Sequence, residues 1–321
     1  MKKKVNVWLV VAVSLMAAGV VIGAVSLVGV FMNGGLETVK YETKEIIVSE
    51  EFSNISLKLN TSDVEILPSE DGSCRVVSFT QKNVRDAVSV ENGTLTLVRY
   101  DERKWYERVG IFFRASKVTV YLPEGAYGDL VAEISTGDLK VAKELGFASA
   151  SIRGTTGDVF MEASVTGACV IRQSTGEILV KDVHAGRLEL TTTTGEVCVR
   201  SAVCVGDVTV SQGTGDAELT DLQAATLTLK GTTGDAELVR VFTTGSLTVQ
   251  RSTGDVELEM CDAASLLIKT GTGDVEGSLL SEKDFRASAS TGRVRVPDTR
   301  AGGLCEITTT TGDIHITLAD W

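Results

Sequence analysis

A triplet of threonine, glycine and an acidic residue recurs so regularly in this sequence that it restricts the chain to a repetitive fold. Ten copies are in phase between residues 136 and 313, and the acidic residue is present in all except the ninth, where Arg293 replaces it. Successive glycines are 19 or 20 residues apart. This spacing is typical of solenoids, whose repeats pack only against their neighbours. The glycines are Gly137, Gly157, Gly176, Gly195, Gly215, Gly234, Gly254, Gly273, Gly292 and Gly312.

Alternating apolar residues within each copy predict two short β-strands per repeat. The second and fourth positions after the glycine are mostly apolar, as in Val159 and Met161, and positions seven and five before it repeat the pattern, as in Leu188 and Leu190. A period of two marks a strand with one buried face, and no window shows helical spacing. We therefore predict an all-β fold, a single-stranded β-solenoid like a β-helix, with about ten coils of 19–20 residues. An inward corner is predicted at Val183, Leu222, Val241, Cys261 and Leu280.

The N-terminal segment is apolar and differs from the rest of the chain. Three lysines at positions 2–4 precede residues 7–32, which contain no charged side chain. A helix of this length exceeds the roughly 30 Å of a bilayer's hydrocarbon layer. We predict one transmembrane helix over residues 5–32, with a cytoplasmic N-terminus because the lysines precede the span. A cleaved signal peptide is the alternative, although its apolar core is usually about 7–15 residues long.

These patterns divide the chain into five parts. Within residues 45–128 the repeat is degenerate: Thr61-Ser62-Asp63 replaces a triplet, and Asn92-Gly93 predicts a hairpin turn. The aromatic and basic segment 100–116 is predicted to be a lid over the N-terminal end of the core, or alternatively a contact with the membrane surface. Leu318 and Trp321 are predicted to cover the other end. The parts are a cytoplasmic stub (1–4), a transmembrane anchor (5–32), a linker (33–44), N-terminal degenerate strands with a cap (45–128) and the repeat solenoid (129–321).

The triplet has two interpretations, as a structural turn or as a metal-binding strip. Glycine tolerates the positive φ of a sharp corner, and an aspartate side chain accepts hydrogen bonds from nearby amides. In-register stacking also aligns the triplet acids in one column, and stacking in chain order would place Arg293 between Asp274 and Asp313. Copies five to eight carry a second acidic residue two positions after the first. A weak calcium strip is therefore predicted at Asp216, Glu218, Asp235, Glu237, Asp255, Glu257, Asp274 and Glu276.

Charge and composition exclude several classes of function. Residues 33–321 contain 28 basic and 43 acidic residues, a formal charge of −15, which excludes nucleic-acid binding and favours cationic partners. Only two histidines, His184 and His315, are present, and the acids follow the period rather than forming a catalytic pair. We therefore expect no catalytic residues, no cofactor apart from calcium, and no enzymatic activity.

The six cysteines form no evident framework. Stacking places Cys198 on the outward side between Leu179 and Glu218, and no two cysteines are opposite each other in adjacent coils. A bridge between Cys198 and Cys204 within one coil stays open. No Cys-x-x-Cys pair is present that would indicate structural zinc.

The lead-in NISLKLNTSDVEIL, the strand KVTVYLPEG and the serial STGDV copies together resemble the bacterial putative adhesin family, a β-strand-repeat domain of unknown function. The resemblance covers roughly residues 45–321. It implies a membrane-anchored solenoid outside a bacterial cell, with a role in adhesion or envelope sensing. The family has no established catalytic residues, so none is implied here.

We therefore expect a non-enzymatic, single-pass membrane protein whose C-terminal domain is extracellular and contacts cell-envelope or cationic protein partners. The main alternative is a structural scaffold that assembles through exposed end coils. A third hypothesis is a β-helix enzyme that acts on carbohydrate, which requires a clustered acid pair.

Overall fold

The computed structural model describes Met16 and residues 19–21, 41–103 and 115–319. The chain divides into two compact units, Met1–Tyr41 and Glu42–Trp321. Helical backbone is present at Met16 and at residues 19–21, and the rest of the predicted anchor lies outside the described residues. Within the described residues, no helix combines the length and apolarity needed to cross a membrane.

The second unit consists of β-strands over the residues described for it. The first strands are β1 (Tyr41–Val48), β2 (Asn54–Thr61), β3 (Asp63–Pro68), β4 (Cys74–Gln81), β5 (Val84–Glu91), β6 (Thr94–Asp101), β7 (Lys117–Leu122), β8 (Ala126–Thr136), β9 (Leu139–Val141), β10 (Gly146–Thr156), β11 (Val159–Met161) and β12 (Ser164–Thr175). The remaining strands are β13 (Ile178–Lys181), β14 (His184–Thr194), β15 (Val197–Cys204), β16 (Asp207–Thr214), β17 (Ala217–Ala224), β18 (Thr226–Thr233), β19 (Ala236–Thr253), β20 (Val256–Thr272), β21 (Val275–Leu279), β22 (Lys283–Thr291), β23 (Val294–Arg295), β24 (Gly303–Thr311) and β25 (Ile314–Leu318).

Successive coils stack as parallel ladders in register, which confirms the predicted all-β solenoid. Val159 in β11, for example, pairs with Leu139 on one side and with Ile178 on the other. The inward columns are closed to solvent: Leu188 and Leu190 are fully buried, like their counterparts in the neighbouring coils. Because one coil alone cannot bury its apolar face, the core forms only when coils stack.

One predicted corner residue is wrong. Val183, Leu222, Val241 and Cys261 are fully buried as expected, but Leu280 is only half-buried and Leu279 takes the inward position. The cause is a register shift between β20 and β21, where Cys261 lies opposite Leu279. Gly277, with a φ of 151°, absorbs this shift in the backbone.

The order of the last two coils differs from the order of the chain. β20 pairs with β24 rather than with β22, and β22 pairs with the other side of β24. The final coil, β24–β25, is therefore inserted between the coil of Gly273 and the coil of Gly292. The chain-order alignment Asp274–Arg293–Asp313 is wrong, and the observed order is Asp274–Asp313–Arg293.

The N-terminal end is interleaved in the same way. The coil formed by β2 and β3 lies between the coil of β8 and β9 and the coil of β6 and β7. Ser62 occupies the position of a triplet glycine in this coil. A Cβ on Gly137 would lie 2.1 Å from the Ser62 carbonyl oxygen, just as a Cβ on the other triplet glycines would approach the glycine of the adjacent coil. The first and last coils of the solenoid sequence are thus each held between two others, which protects both from fraying.

Antiparallel strands cover this N-terminal end. β5 and β6 form the predicted hairpin, with positive φ at Asn92 and Gly93, and β4 pairs with β7. A buried ion pair joins Arg99 to Asp86 at 2.7 Å, and Arg99 also donates to the Thr61 carbonyl. Removing one member of such a pair is destabilising because the other charge stays buried. Of the predicted lids, residues 104–114 and Trp321 lie outside the described residues, whereas Leu318 packs against the core.

Candidate functional site

The triplet glycines form a column in which each residue lies on its neighbour's backbone. Their φ angles run from 121° to 147°, a region that side chains rarely adopt. A Cβ on Gly234 would lie 2.1 Å from the carbonyl oxygen of Gly215, and one on Gly254 would lie 2.0 Å from that of Gly234. Glycine is therefore required at this corner both by backbone conformation and by the closeness of the next coil.

The triplet aspartates form a ladder of side-chain to backbone hydrogen bonds. The Oδ1 atom of each aspartate accepts the amide of the equivalent residue in the next coil, for example Asp235 from Asp255 and Asp255 from Asp274, both at 2.7 Å. The ladder includes Asp63, which accepts from Asp138 at 3.2 Å. One carboxylate oxygen of these residues is thus committed to holding coils together, which explains the acid in the triplet without a ligand.

Two glutamates interrupt this ladder. The Glu177 amide donates to Asp158 at 2.8 Å, but within the described residues the side chains of Glu177 and Glu196 accept no equivalent bond. A glutamate carboxylate lies one methylene farther from the backbone than an aspartate carboxylate does. Burial, with the nearby charges of Glu196 and Asp158, raises the pKa of Glu177 above its ordinary value.

A buried polar column lies three residues before the glycines and satisfies their carbonyl groups. Thr270 Oγ1 donates to the Gly254 carbonyl, and Thr309 Oγ1 to that of Gly273, both at 3.0 Å. Gln212 Nε2 donates to Gly195 at 3.2 Å. Buried carbonyl groups need such partners because an unmade hydrogen bond is costly.

Arg251 is the charged member of this column. Its guanidinium fills the space beside Gly231, where a Cβ would lie 1.9 Å from Nη1, and its Nη2 donates to Gln212 and to the Asp235 carbonyl at 3.0 Å. Burial lowers the pKa of Arg251, and the charges of Asp216 and Asp235 oppose that shift. A buried cation therefore lies beneath part of the predicted calcium strip.

The glutamates of that strip are neighbours in register, with Glu237 opposite Glu218 in one adjacent coil and Glu257 in the other. In the part of the chain that the structure describes, one group of three metal-ligating side chains has its ligand atoms within 4.8 Å of one another, and it comprises Glu196, Cys198 and Glu218. Of the eight predicted calcium ligands, only Glu218 belongs to it. Glu218 is also bound by Arg200 at 2.8 Å, so its charge is already paired. The 20-residue spacing of Cys198 and Glu218 did indicate that these two are neighbours.

Comparison with known proteins places this architecture in a family. Residues 52–214 and residues 202–320 match the family Toastrack DUF4097. Together these two ranges account for more than half of the chain. The chain belongs to the Toastrack DUF4097 family. This confirms the resemblance that the lead-in strand and the serial triplets indicated.

A solved structure shares the fold of this Toastrack chain. A putative adhesin from Parabacteroides distasonis is 16% identical, covers 87% of this chain and 97% of its own, and has a TM-score of 0.51. A putative lipid binding protein from the same species is 14% identical, with the same coverage of both chains and a TM-score of 0.48. At 16% identity the likeness to the putative adhesin shows the fold alone. No curated protein matches the sequence.

The cysteines of this Toastrack chain are all buried and free in the structure. The open hypothesis of a bridge between Cys198 and Cys204 is therefore wrong. Cys198 is also not exposed: it occupies an outward position between Leu179 and Glu218, but only 1% of its surface is accessible, and its Sγ lies 3.5 Å from Glu218 Oε2. Burial raises the pKa of Cys198 to about 12, so the thiol stays protonated.

Proposed function

We propose that this Toastrack protein is a non-enzymatic, membrane-anchored β-solenoid that serves as an adhesion or cell-envelope interaction and sensing surface. The observation that carries the proposal is that the repeated triplets hold the coils together. Each triplet aspartate that joins the ladder holds a neighbouring coil, as Asp235 holds the coil of Asp255. What the repeats build is therefore a rigid body with long exposed strand faces, which suits display and binding.

Several features support a non-enzymatic role. His184 and His315 lie in coils far apart in the stack, and the surface groove between Thr191 and Ser252 is lined by hydroxyl, amide and basic groups without a carboxylate. General acid and base catalysis needs titratable groups within reach of one reacting atom. A solved protein of the same fold is described as a putative adhesin, which motivates adhesion over other binding roles.

Two features of the sequence support the proposed anchoring and orientation. The uncharged run over residues 7–32 and the lysines before it support a single span with the C-terminal domain outside the cell. An antibody against a C-terminal epitope should label intact cells, and the chain should stay in the membrane after alkaline carbonate extraction. Labelling only after lysis, or release by carbonate, would contradict this part of the proposal.

Binding to envelope material tests the function itself. Cells that display the full chain should retain purified bacterial envelope fragments. Cells that display a control carrying Leu190→Asp and Leu229→Asp should not, because both residues are fully buried in the core. Equal retention by the two strains would overturn the proposal.

A self-assembling scaffold is the second candidate, and the open edge of β22 favours it. Sedimentation of the full chain in neutral detergent separates the candidates. An interaction surface predicts one species, whereas a scaffold predicts filaments whose length grows with concentration.

A further inference from the structure

The outermost coil at the C-terminal end, formed by β22 and β23, has an open side. β22 pairs with β24, and no ladder joins its other edge in the part of the chain that the structure describes. The Thr291 carbonyl accepts from the Gly312 amide. Because backbone groups alternate along a strand, those of Ser290, Ser288 and Arg286 point away from β24. Unpaired groups of this kind can accept another extended strand.

Apolar side chains accompany this open edge. Phe285, Ala287 and Val296 pack against the core but are only half-buried, and Val294 is 41% exposed. The position equivalent to Val294 in the adjacent coil, Ile314, is 1% exposed because the outermost coil covers it. The tip therefore leaves one layer of apolar surface for a partner.

The charge of this coil is opposite to that of the body. Residues 281–302 contain five basic and three acidic residues, whereas residues 129–280 contain 11 basic and 22 acidic residues. Four exposed arginines are concentrated here: Arg286, Arg293, Arg295 and Arg300. Arg286 also forms an exposed ion pair with Asp284 at 3.3 Å, and exposed pairs of this kind are weak. A basic end on an acidic solenoid attracts an acidic partner and repels a second basic end.

The aspartate ladder also ends here. The Arg293 amide donates to Asp313 Oδ1 at 2.8 Å, but the Arg293 side chain is itself a donor. It provides no acceptor for the amide of a following coil. A following triplet coil, including one from a second copy of this chain, would therefore lack the aspartate hydrogen bond that joins the other coils.

We propose that the C-terminal tip, comprising residues 283–300, binds an acidic, extended polypeptide segment of a partner protein by strand addition to β22. The proposal rests on the interaction-surface function above and assigns its partner chemistry. Main-chain hydrogen bonds come from the open edge of β22, apolar contact from Phe285 and Val294, and selectivity for acidic residues from the four arginines.

Peptide binding tests the proposal directly. The probe is a fluorescent peptide of about ten residues that alternates valine with glutamate, and its comparison peptide alternates valine with lysine. Anisotropy titrations use the full chain in neutral detergent micelles. We expect saturable binding of the glutamate peptide, about tenfold or more tighter than the lysine peptide, which is about 1.4 kcal/mol or more. Equal binding of the two peptides, or none, overturns the proposal.

Matched variants locate the binding. Arg286→Glu with Arg295→Glu should weaken the glutamate peptide about tenfold, whereas Arg153→Glu with Arg187→Glu, at exposed positions on the side of the solenoid, should change it less than about twofold. Ser288→Pro removes an outward-facing amide, and its melting temperature reports whether the coil stays folded. A loss of binding in the side variant but not in the tip variant would overturn the assignment.

Two further measurements address other occupants. If vesicles of phosphatidylglycerol and phosphatidylcholine bind the tip and the peptide does not, the occupant of the tip is a lipid surface and not a polypeptide. If sedimentation shows self-association of the wild-type chain that the tip variant abolishes, the occupant is a second copy of this chain. If the tip variant keeps envelope retention while peptide binding fails, the proposed function stands and this inference is wrong.

Discussion

Replacing a triplet glycine by alanine should destabilise the solenoid far more than the addition of one methyl group implies. Gly234 has a φ of 121°, and a Cβ there would lie 2.1 Å from the Gly215 carbonyl oxygen. The backbone strain alone is about 1–3 kcal/mol. Because the contacted atom belongs to the backbone of the adjacent coil, relief requires that two coils move apart. We expect Gly234→Ala to lower the free energy of unfolding by about 3 kcal/mol or more.

Gly146→Ala is the matched control for this change. Gly146 is the first residue of β10, nothing lies within 4 Å of its hypothetical Cβ, and its φ is not in the left-handed region. Alanine there should be neutral or stabilising by up to about 1 kcal/mol, because glycine loses more backbone entropy on folding. Urea unfolding of the full chain in neutral detergent, followed by circular dichroism, measures both. A loss below about 1 kcal/mol for Gly234→Ala, or equal losses for both variants, would refute the hinge explanation.

Three further perturbations test other parts of the account. Arg251→Ala should cost about 2 kcal/mol or more in urea unfolding because it leaves buried carbonyls without donors, whereas Arg251→Thr should cost less, since Thr270 satisfies this position in the next coil. Burial raises the pKa of the Cys169 and Cys305 thiols from 9.0 to about 12, so the folded state holds these protons more tightly than the unfolded state does, and stability should fall as pH rises from 9 towards 12. Valine occupies the same column at Val208, so replacing Cys169 and Cys305 by valine should reduce this loss of stability at high pH. An unchanged dependence of stability on pH would contradict the prediction. Calcium should leave the melting temperature of the full chain unchanged, both in the wild type and in Asp235→Asn/Asp255→Asn, because one oxygen of each carboxylate already accepts an amide; a rise in the wild type alone would establish the calcium strip.

The repeat pattern was sufficient to predict the inward columns. Period-two alternation depends on which face of a strand is buried, and this is a local property that Leu188 and Leu190 report directly. The turn role of the glycines followed for the same reason, because positive φ is a property of one residue. The single error among the corner residues, Leu280, arose where Gly277 shifts the register by one position.

The coil order could not be predicted in the same way. Near-identical repeats offer near-identical ladder partners, so local patterning does not decide whether β20 pairs with β22 or with β24. Signals are present only in retrospect. The ninth copy carries Arg293, which accepts no amide, and the small side chains Ala287 and Ala289, as suits a coil with no neighbour on its outer side.

The buried polar column was missed because its members differ in chemistry. Thr270, Gln212 and Arg251 share no residue type, and they share only a position three residues before a glycine. Their role depends on which carbonyl each can reach, and Arg251 reaches past Gly231 to Gln212, 39 residues away in the chain. A contact of that length follows from the stacked structure and not from the spacing of motifs.

Cysteine cross-linking across the last three coils tests the interleaved solenoid most directly. Lys269, Thr308 and Ser288 lie side by side in register, in that spatial order. Adjacent coils are about 4.8 Å apart, within disulfide reach, and coils two apart are not. The account predicts that Lys269→Cys forms a disulfide with Thr308→Cys and not with Ser288→Cys, while the wild-type chain, whose cysteines are buried, forms none. A disulfide between positions 269 and 288, with none between 269 and 308, would show that the coils stack in chain order and would contradict the account.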